Sequence, residues 1–199
     1  MKVAIEWDYC PGYEGRLEKW IRSYPWDLVL GGVHWLPGRD GGWWGFDIPE
    51  QRAEWERRDV DRVYGDYFRL LCEAASTGLF DVLAHPDVVK VFGHRPRQDP
   101  GQWYEQAAEA MARAGVCAEV NTAGWRKPVG ELYPAPAFLE ALHRHGVPIV
   151  ISSDAHWAEH VGFGFPEAER AAYSAGYRTR CVFDARQRIE VPLNGPGQE

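Results

Sequence analysis

The stretch "IVISSDAH" (149–156) runs an apolar strand straight into Asp154 and His156, one residue apart. Two ionisable groups at the end of a buried strand are costly unless something holds them, and a metal ion would. Similar groups recur along the chain. "VAIEWD" (3–8) carries Glu6 and Asp8, "DLVLGGVH" (27–34) ends in His34, and "FDVLAHPD" (80–87) carries His85 with Asp87 two residues on. "GVCAEVNT" (115–122) carries Glu119 and Asn121. A lone histidine at a strand end is usually a satisfied structural group, so it is the recurrence over five strands that points to a site. Three histidines and several carboxylates, without a plausible cysteine ligand, suit Mn, Fe or Zn in a mixed N/O site. A bridging carboxylate can hold two ions about 3.5–4 Å apart, and such a cluster makes hydroxide from water and clamps a phosphate in line. Glu6 is the deepest candidate bridge.

Basic residues follow in the loops. "FGHRP" places Arg95 after the His85 strand, and "NTAGWRKP" places Arg126 and Lys127 after Glu119 and Asn121. Arginine binds phosphate through its bidentate fork and lysine as a point charge. Glu119 and Asn121 are then free to bind an amine or a ring nitrogen. The composite ligand is a phosphate ester, anionic at one end and cationic at the other. Four histidines fall outside this pattern. His94 lies in a loop, His143 and His145 lie near a helix C-terminus where a cation suits the dipole, and His160 could only rim the site.

The elements that must position these groups are short apolar strands alternating with helical patterns. Helices are expected over 13–23, 49–77 (long and charged), 100–114 with Asp99 as its cap, 136–145 and 166–176. "LPGRDGGWWGFDIPE" reads as a loop, "TRCVFDARQR" (179–188) as the strand that closes the series, and 194–199 as a frayed tail. Nearly continuous apolar strands separated by helices mean a parallel α/β sheet. An open sheet would spread five strand ends along a line of about 20 Å, whereas a barrel gathers them around one axis. The site therefore favours barrel-like closure of one domain, residues 1–193.

With 199 residues the chain is long enough for one sizeable core. A net charge of −7 disfavours nucleic acid and acidic membranes as partners. No apolar run approaches the length of a membrane span. Cys10, Cys72, Cys117 and Cys181 form no CxxC pair and read as reduced thiols of a cytoplasmic protein. Trp20, Trp26, Trp55 and Trp103 read as packing residues.

The sequence resembles the histidinol phosphatases of the PHP (polymerase and histidinol phosphatase) superfamily. The matching pieces are "IEWDYCPG", "GGVHWL…WGFD", "RDVDRVYGDYFRLLCEAASTGLFDVLAHPDVVKVFGHRP", "AEVNTAGWRKPVGELYPAPAFLEAL" and "GVPIVISSDAHWAEHVG", in order over nearly the whole chain. The resemblance implies a distorted (β/α)7 barrel with two to three divalent metal ions. It also implies hydrolysis of L-histidinol phosphate, in histidine biosynthesis, by a metal-bridging hydroxide. Carried over, Glu6, His34, His85, Asp154 and His156 are metal ligands. Arg95 is the phosphate-binding arginine, and Glu119, Asn121, Arg126 and Lys127 are substrate-pocket residues. One departure is large: the family begins with a strand carrying His-x-His, and nothing here matches it. About two strand–helix units are expected to be absent, leaving strand 3–8 with an unpaired edge. The intactness of the remaining site favours a start assigned too late or a fragment over a true short form, inactive or completed by self-association through the open edge. Two rivals stand beside the histidinol phosphate reading: a phosphoesterase of another small ester, and a barrel that only binds.

Overall fold

The computed structural model describes residues 2–194. Its centre is a parallel sheet of five strands, β1 (Ala4–Asp8), β2 (Leu28–Gly32), β5 (Val82–Leu83), β6 (Cys117–Asn121) and β7 (Ile149–Ser152), joined in that order. Spatial order follows chain order. The sheet therefore winds in one direction, as a barrel wall does, rather than reversing as a doubly wound sheet does. All five carboxyl ends lie on one side. Burial grades along the sheet: every residue of β6 is buried, whereas β1, at one edge, has none that is fully so. Val, Ile, Leu and Ala dominate β5, β6 and β7 because both faces of these strands are covered.

Among the described residues the α-helices are α1 (Glu14–Arg22), α2 (Val60–Ser76), α3 (Gly101–Ala114), α4 (Pro136–Arg144) and α5 (Phe165–Ser174). Helix α2 buries Val63, Tyr64, Tyr67, Phe68, Leu71, Ala74 and Ala75, the spacing of one helical face. Phe68 meets Phe138 of α4 at 5.7 Å, and the rings of Tyr104 and Phe138 stack at 4.8 Å. These aromatic contacts lock α2, α3 and α4 together under the sheet.

Four expectations change. Residues 49–77 are not one helix: a 3-10 helix (Pro49–Arg57) ends at Arg58, which is extended, and Asp59 caps a new start by accepting from the N–H groups of Asp61 and Arg62. The Gly- and Trp-rich loop contains an antiparallel pair, β3 (Trp35–Pro37) and β4 (Trp43–Gly45). Asp99 accepts from the Gly101 N–H, but Pro100 is the residue that caps α3. Residues 179–188 do not join the parallel sheet: β8 (Thr179–Asp184) folds back antiparallel onto β9 (Gln187–Pro192). The two turn residues, Ala185 and Arg186, have φ of 48° and 63°, the left-handed conformation that a tight hairpin turn needs. Arg186 satisfies the strain by gripping both oxygens of Asp81, just before β5, while its N–H donates to the carbonyl of Asp27, just before β2. The hairpin thus closes the amino end of the sheet, opposite the site.

Of the tryptophans, Trp55 is buried, but Trp20 stands 55% exposed and is not a core residue. The four cysteines are free thiols. No described helix is long and apolar enough to cross a membrane. Of the tail expected to fray, all beyond Asn194 lies outside the described residues.

Candidate metal centre

Glu6 projects from β1, His34 lies two residues beyond β2, and His85 lies two beyond β5. Parallel pairing with matched register brings these ends level. The Glu6 Oε1 atom is 3.1 Å from His85 Nε2 and 3.6 Å from His34 Nε2, and the two Nε2 atoms are 3.2 Å apart. Ligands at about 2.0–2.1 Å from a tetrahedral zinc ion would stand about 3.3–3.4 Å from one another. The three atoms therefore outline one face of a coordination polyhedron for a small divalent ion. Glycine makes the convergence possible. A Cβ at Gly32 would lie 2.5 Å from the His34 ring and 2.9 Å from Glu6 Oε1.

Asp8 and Trp35 set the orientation of His34. The Asp8 carboxylate bonds His34 Nδ1 and accepts from the Trp35 indole N–H at 3.0 Å. With Nδ1 so engaged, Nε2 is the nitrogen left for a metal. His85 is 4% exposed, and its backbone sits in the left-handed region at φ 28°. Its N–H donates to Glu119 Oε2 at 2.8 Å, which anchors that strained residue. Asp154, beyond β7, also lies in the left-handed region at φ 45°, its N–H donating to Ser152 Oγ at 3.0 Å. Its carboxylate lies 3.4 Å from His156 Nδ1.

Charge here is strongly coupled. Burial opposes a charge on His85, but Glu6 beside it, with Glu119 and Asp154 near, lifts its pKa to about 9. Burial likewise works against the Glu6 carboxylate, and His85 and His34 outweigh it, holding Glu6 below its ordinary value. Asp47, which follows β4, is pushed upward by burial. A cation among these groups would relieve both the crowded carboxylates and the facing imidazoles.

A cavity of about 340 Å³ opens over the centre. Glu6, His34, His85, Asp154 and His156 all line it, as do Lys127, Asp8, Asp47 and Tyr133. The other expected site residues lie elsewhere. Glu119 and Asn121 are buried and bond one another at 2.9 Å, Asn121 also accepting from the Ala123 N–H. Arg126 donates to the carbonyls of Ser153 and Asp154, and so shapes the loop that carries His156. Arg95 is exposed and pairs with Glu131. Asp87 forms a buried ion pair with Lys90 at 2.8 Å. His94 stacks on Trp55, His145 pairs with Glu105, and His143 is exposed on α4.

Comparison with known proteins follows the same outline. No family model matches the chain. A Deinococcus radiodurans protein named probable histidinol-phosphatase is 43% identical over 180 residues, 90% of this chain and 66% of that protein. Among solved structures, histidinol phosphate phosphatase (HISK) from Lactococcus lactis, complexed with zinc, L-histidinol and phosphate, matches 94% of this chain and 71% of its own at a TM-score of 0.74 and 17% identity. Crystalline hisK from Listeria monocytogenes matches 82% of this chain and 66% of its own at a TM-score of 0.73 and 21% identity. The chain thus spans about two thirds of the length of the relatives it matches and shares the fold of the two solved structures, and over that span its sequence places it in the histidinol phosphatase family.

Proposed function

We propose that this chain carries the metal-dependent phosphomonoesterase site of a histidinol phosphatase, acting on L-histidinol phosphate to give L-histidinol and phosphate. The observation that carries this reading is the convergence of Glu6 Oε1, His34 Nε2 and His85 Nε2 within 3.6 Å of one another on successive parallel strands. The 43% identical relative and the zinc, histidinol and phosphate held by the Lactococcus lactis protein support it. The donor set fits a divalent ion: nitrogen and carboxylate oxygen at cation-like spacing, with one imidazole oriented by a carboxylate. Glu6, His34 and His85 would hold one ion, and Asp154 with His156 would hold a second or third, of Mn, Fe or Zn. Such ions supply Lewis acidity and water activated at neutral pH.

The remaining work falls to the chain's own residues. Asp8 keeps His34 in one orientation. Lys127, in the cavity wall, places positive charge where a phosphate would enter. Arg126 fixes the Asp154 loop, and Arg95 adds positive charge outside the wall, reaching a phosphate by exchanging its Glu131 partner. Glu119 acts on substrate through His85, whose backbone N–H it accepts, and Asn121 acts by donating to Glu119. The acidic wall of Asp8 and Asp47 suits the cationic end of histidinol phosphate.

Phosphate release from histidinol phosphate by this chain in Mn²⁺, beside His156→Ala and an aryl phosphate, tests the proposal. Release that is abolished in the variant and by chelation is expected, with the aryl ester the poorer substrate. Release unaffected by chelation would overturn metal dependence. Equal or faster turnover of the aryl ester would instead favour a phosphoesterase with another substrate.

A further inference from the structure

Tyr133 presents a buried hydroxyl for which the fold supplies no partner. Its side chain is 1% exposed and forms part of the cavity wall beside His85 and Asp154. The hydroxyl oxygen has no hydrogen-bond partner among the described residues. Buried tyrosine hydroxyls ordinarily find one, because an unpaired buried donor is a substantial cost. Loose placement does not explain this. The Tyr133 backbone bonds Asn121 in both directions, at 2.6 and 3.1 Å, which ties it to the end of β6. The buried Lys90 ammonium lies 5.4 Å from its ring centroid, and the His85 ring stands 6.5 Å away at 75°. Gly124 leaves room for the ring, since a Cβ there would reach Tyr133 Cε2 at 3.0 Å and collide with the Glu131 carbonyl at 1.9 Å. The side chain is held firmly with its polar end unsatisfied.

We infer that the Tyr133 hydroxyl donates a hydrogen bond to a phosphoryl oxygen of the ligand seated over the metal centre. The inference rests on the phosphomonoesterase reading above and adds a neutral donor to it. This donor carries no charge and lines the same cavity as His85, Lys127 and Asp154. Burial, with Asp87, Asp47 and Asp154 around it, pushes the phenol well above its ordinary pKa, so it remains an O–H donor. An acceptor brought into the cavity would complete it.

The test compares wild type with Tyr133→Phe, both loaded with Mn²⁺ and titrated calorimetrically with inorganic phosphate. Removing a bond to a charged acceptor weakens phosphate binding by about 10- to 100-fold. Mn²⁺ affinity stays the same. The melting temperature of the metal-free variant stays the same or rises, because the substitution deletes an unpaired polar group. Equal phosphate affinity in the two proteins overturns the inference and leaves the phosphatase reading standing. A fall in melting temperature or in Mn²⁺ affinity without a specific loss of phosphate also overturns it, by showing that the hydroxyl serves the fold or the metal. Wild type that takes up Mn²⁺ but binds no phosphate overturns the phosphatase reading and the inference with it.

Discussion

The Asp8 carboxylate meets His34 on Nδ1, the ring nitrogen that faces away from the centre. That contact fixes which nitrogen His34 offers to a metal. It also makes the ring more electron-rich, since a carboxylate behind an imidazole raises its basicity as a ligand. Asp8→Asn keeps the shape and removes the charge. Divalent metal affinity is expected to fall about 10- to 100-fold, read by equilibrium dialysis with Mn²⁺ or Zn²⁺. Fold stability of the metal-free protein should change little, because the Trp35 indole can still donate to the Asn oxygen. Undiminished metal affinity would mean that His34 is not held as a ligand.

Glu119 separates two roles that look alike in sequence. In the structure both its hydrogen bonds go to protein, one to the N–H of His85 and one to Asn121. Glu119→Ala strands those two donors in the interior and is expected to cost about 1–3 kcal/mol in urea unfolding, with kcat falling because His85 loses its anchor. Glu119→Gln keeps an acceptor and drops a buried charge, so its stability should lie within about 1 kcal/mol of wild type. A Gln variant with native stability and native kcat but a raised KM would instead place Glu119 in contact with substrate.

Much of the centre could be read from sequence because parallel sheets obey a simple rule: polar residues at the carboxyl ends of successive apolar strands end up together. The strand-end pattern singles out Glu6, His34, His85, Asp154 and His156, and all five line one cavity. Asp8 shares the strand of Glu6, and nothing local in the sequence distinguishes a residue that orients a ligand from one that binds metal. Asp47 gave no strand-end signal at all. It follows the short β3–β4 hairpin, which the glycine-rich composition disguised as loop. The break at Arg58 was hidden by charged residues compatible with a continuous helix, and only the Asp59 cap reveals it. Lys127 reaches the cavity while Arg126 and Arg95 do not, a difference set by backbone carbonyls and by Glu131 that no spacing rule encodes.

Asp61 supplies a pH-dependent contribution to stability. Its Oδ1 accepts from the N–H groups of Arg97 and Gln98, at 2.8 and 3.1 Å, and Oδ2 accepts from Arg97 Nε. These donors hold its carboxyl below the ordinary aspartate value. A folded-state pKa below the unfolded one means that the unfolded chain binds the extra proton. The stabilisation is therefore present above the ordinary aspartate pKa and is lost as pH falls through the lower, folded value. Asp61→Ala should melt below wild type at pH 7, and the gap should close as pH drops below about 4. A gap that stays constant from pH 7 to pH 2 would assign the effect to packing rather than to the carboxylate.

Gly32 decides whether the centre can form. An added Cβ would lie 2.5 Å from His34 Cε1, 3.0 Å from His34 Nδ1 and 2.9 Å from Glu6 Oε1. All three atoms sit on side chains that can swing aside, so Gly32→Ala should fold. The strand itself would tolerate alanine, since Gly32 lies within the regular β1–β2 pairing opposite Asp8. What cannot be kept is the spacing between the two ligands, and metal sites accept deviations of only about 0.2 Å. A misplacement of about 1 Å is enough to lower turnover about 100-fold. The expected outcome is a folded protein with near-native melting in the absence of metal, sharply reduced Mn²⁺ uptake, and phosphate release from histidinol phosphate down by about two orders of magnitude. Native Mn²⁺ uptake in Gly32→Ala would show that His34 and Glu6 can be displaced without consequence, and would remove them from the metal centre.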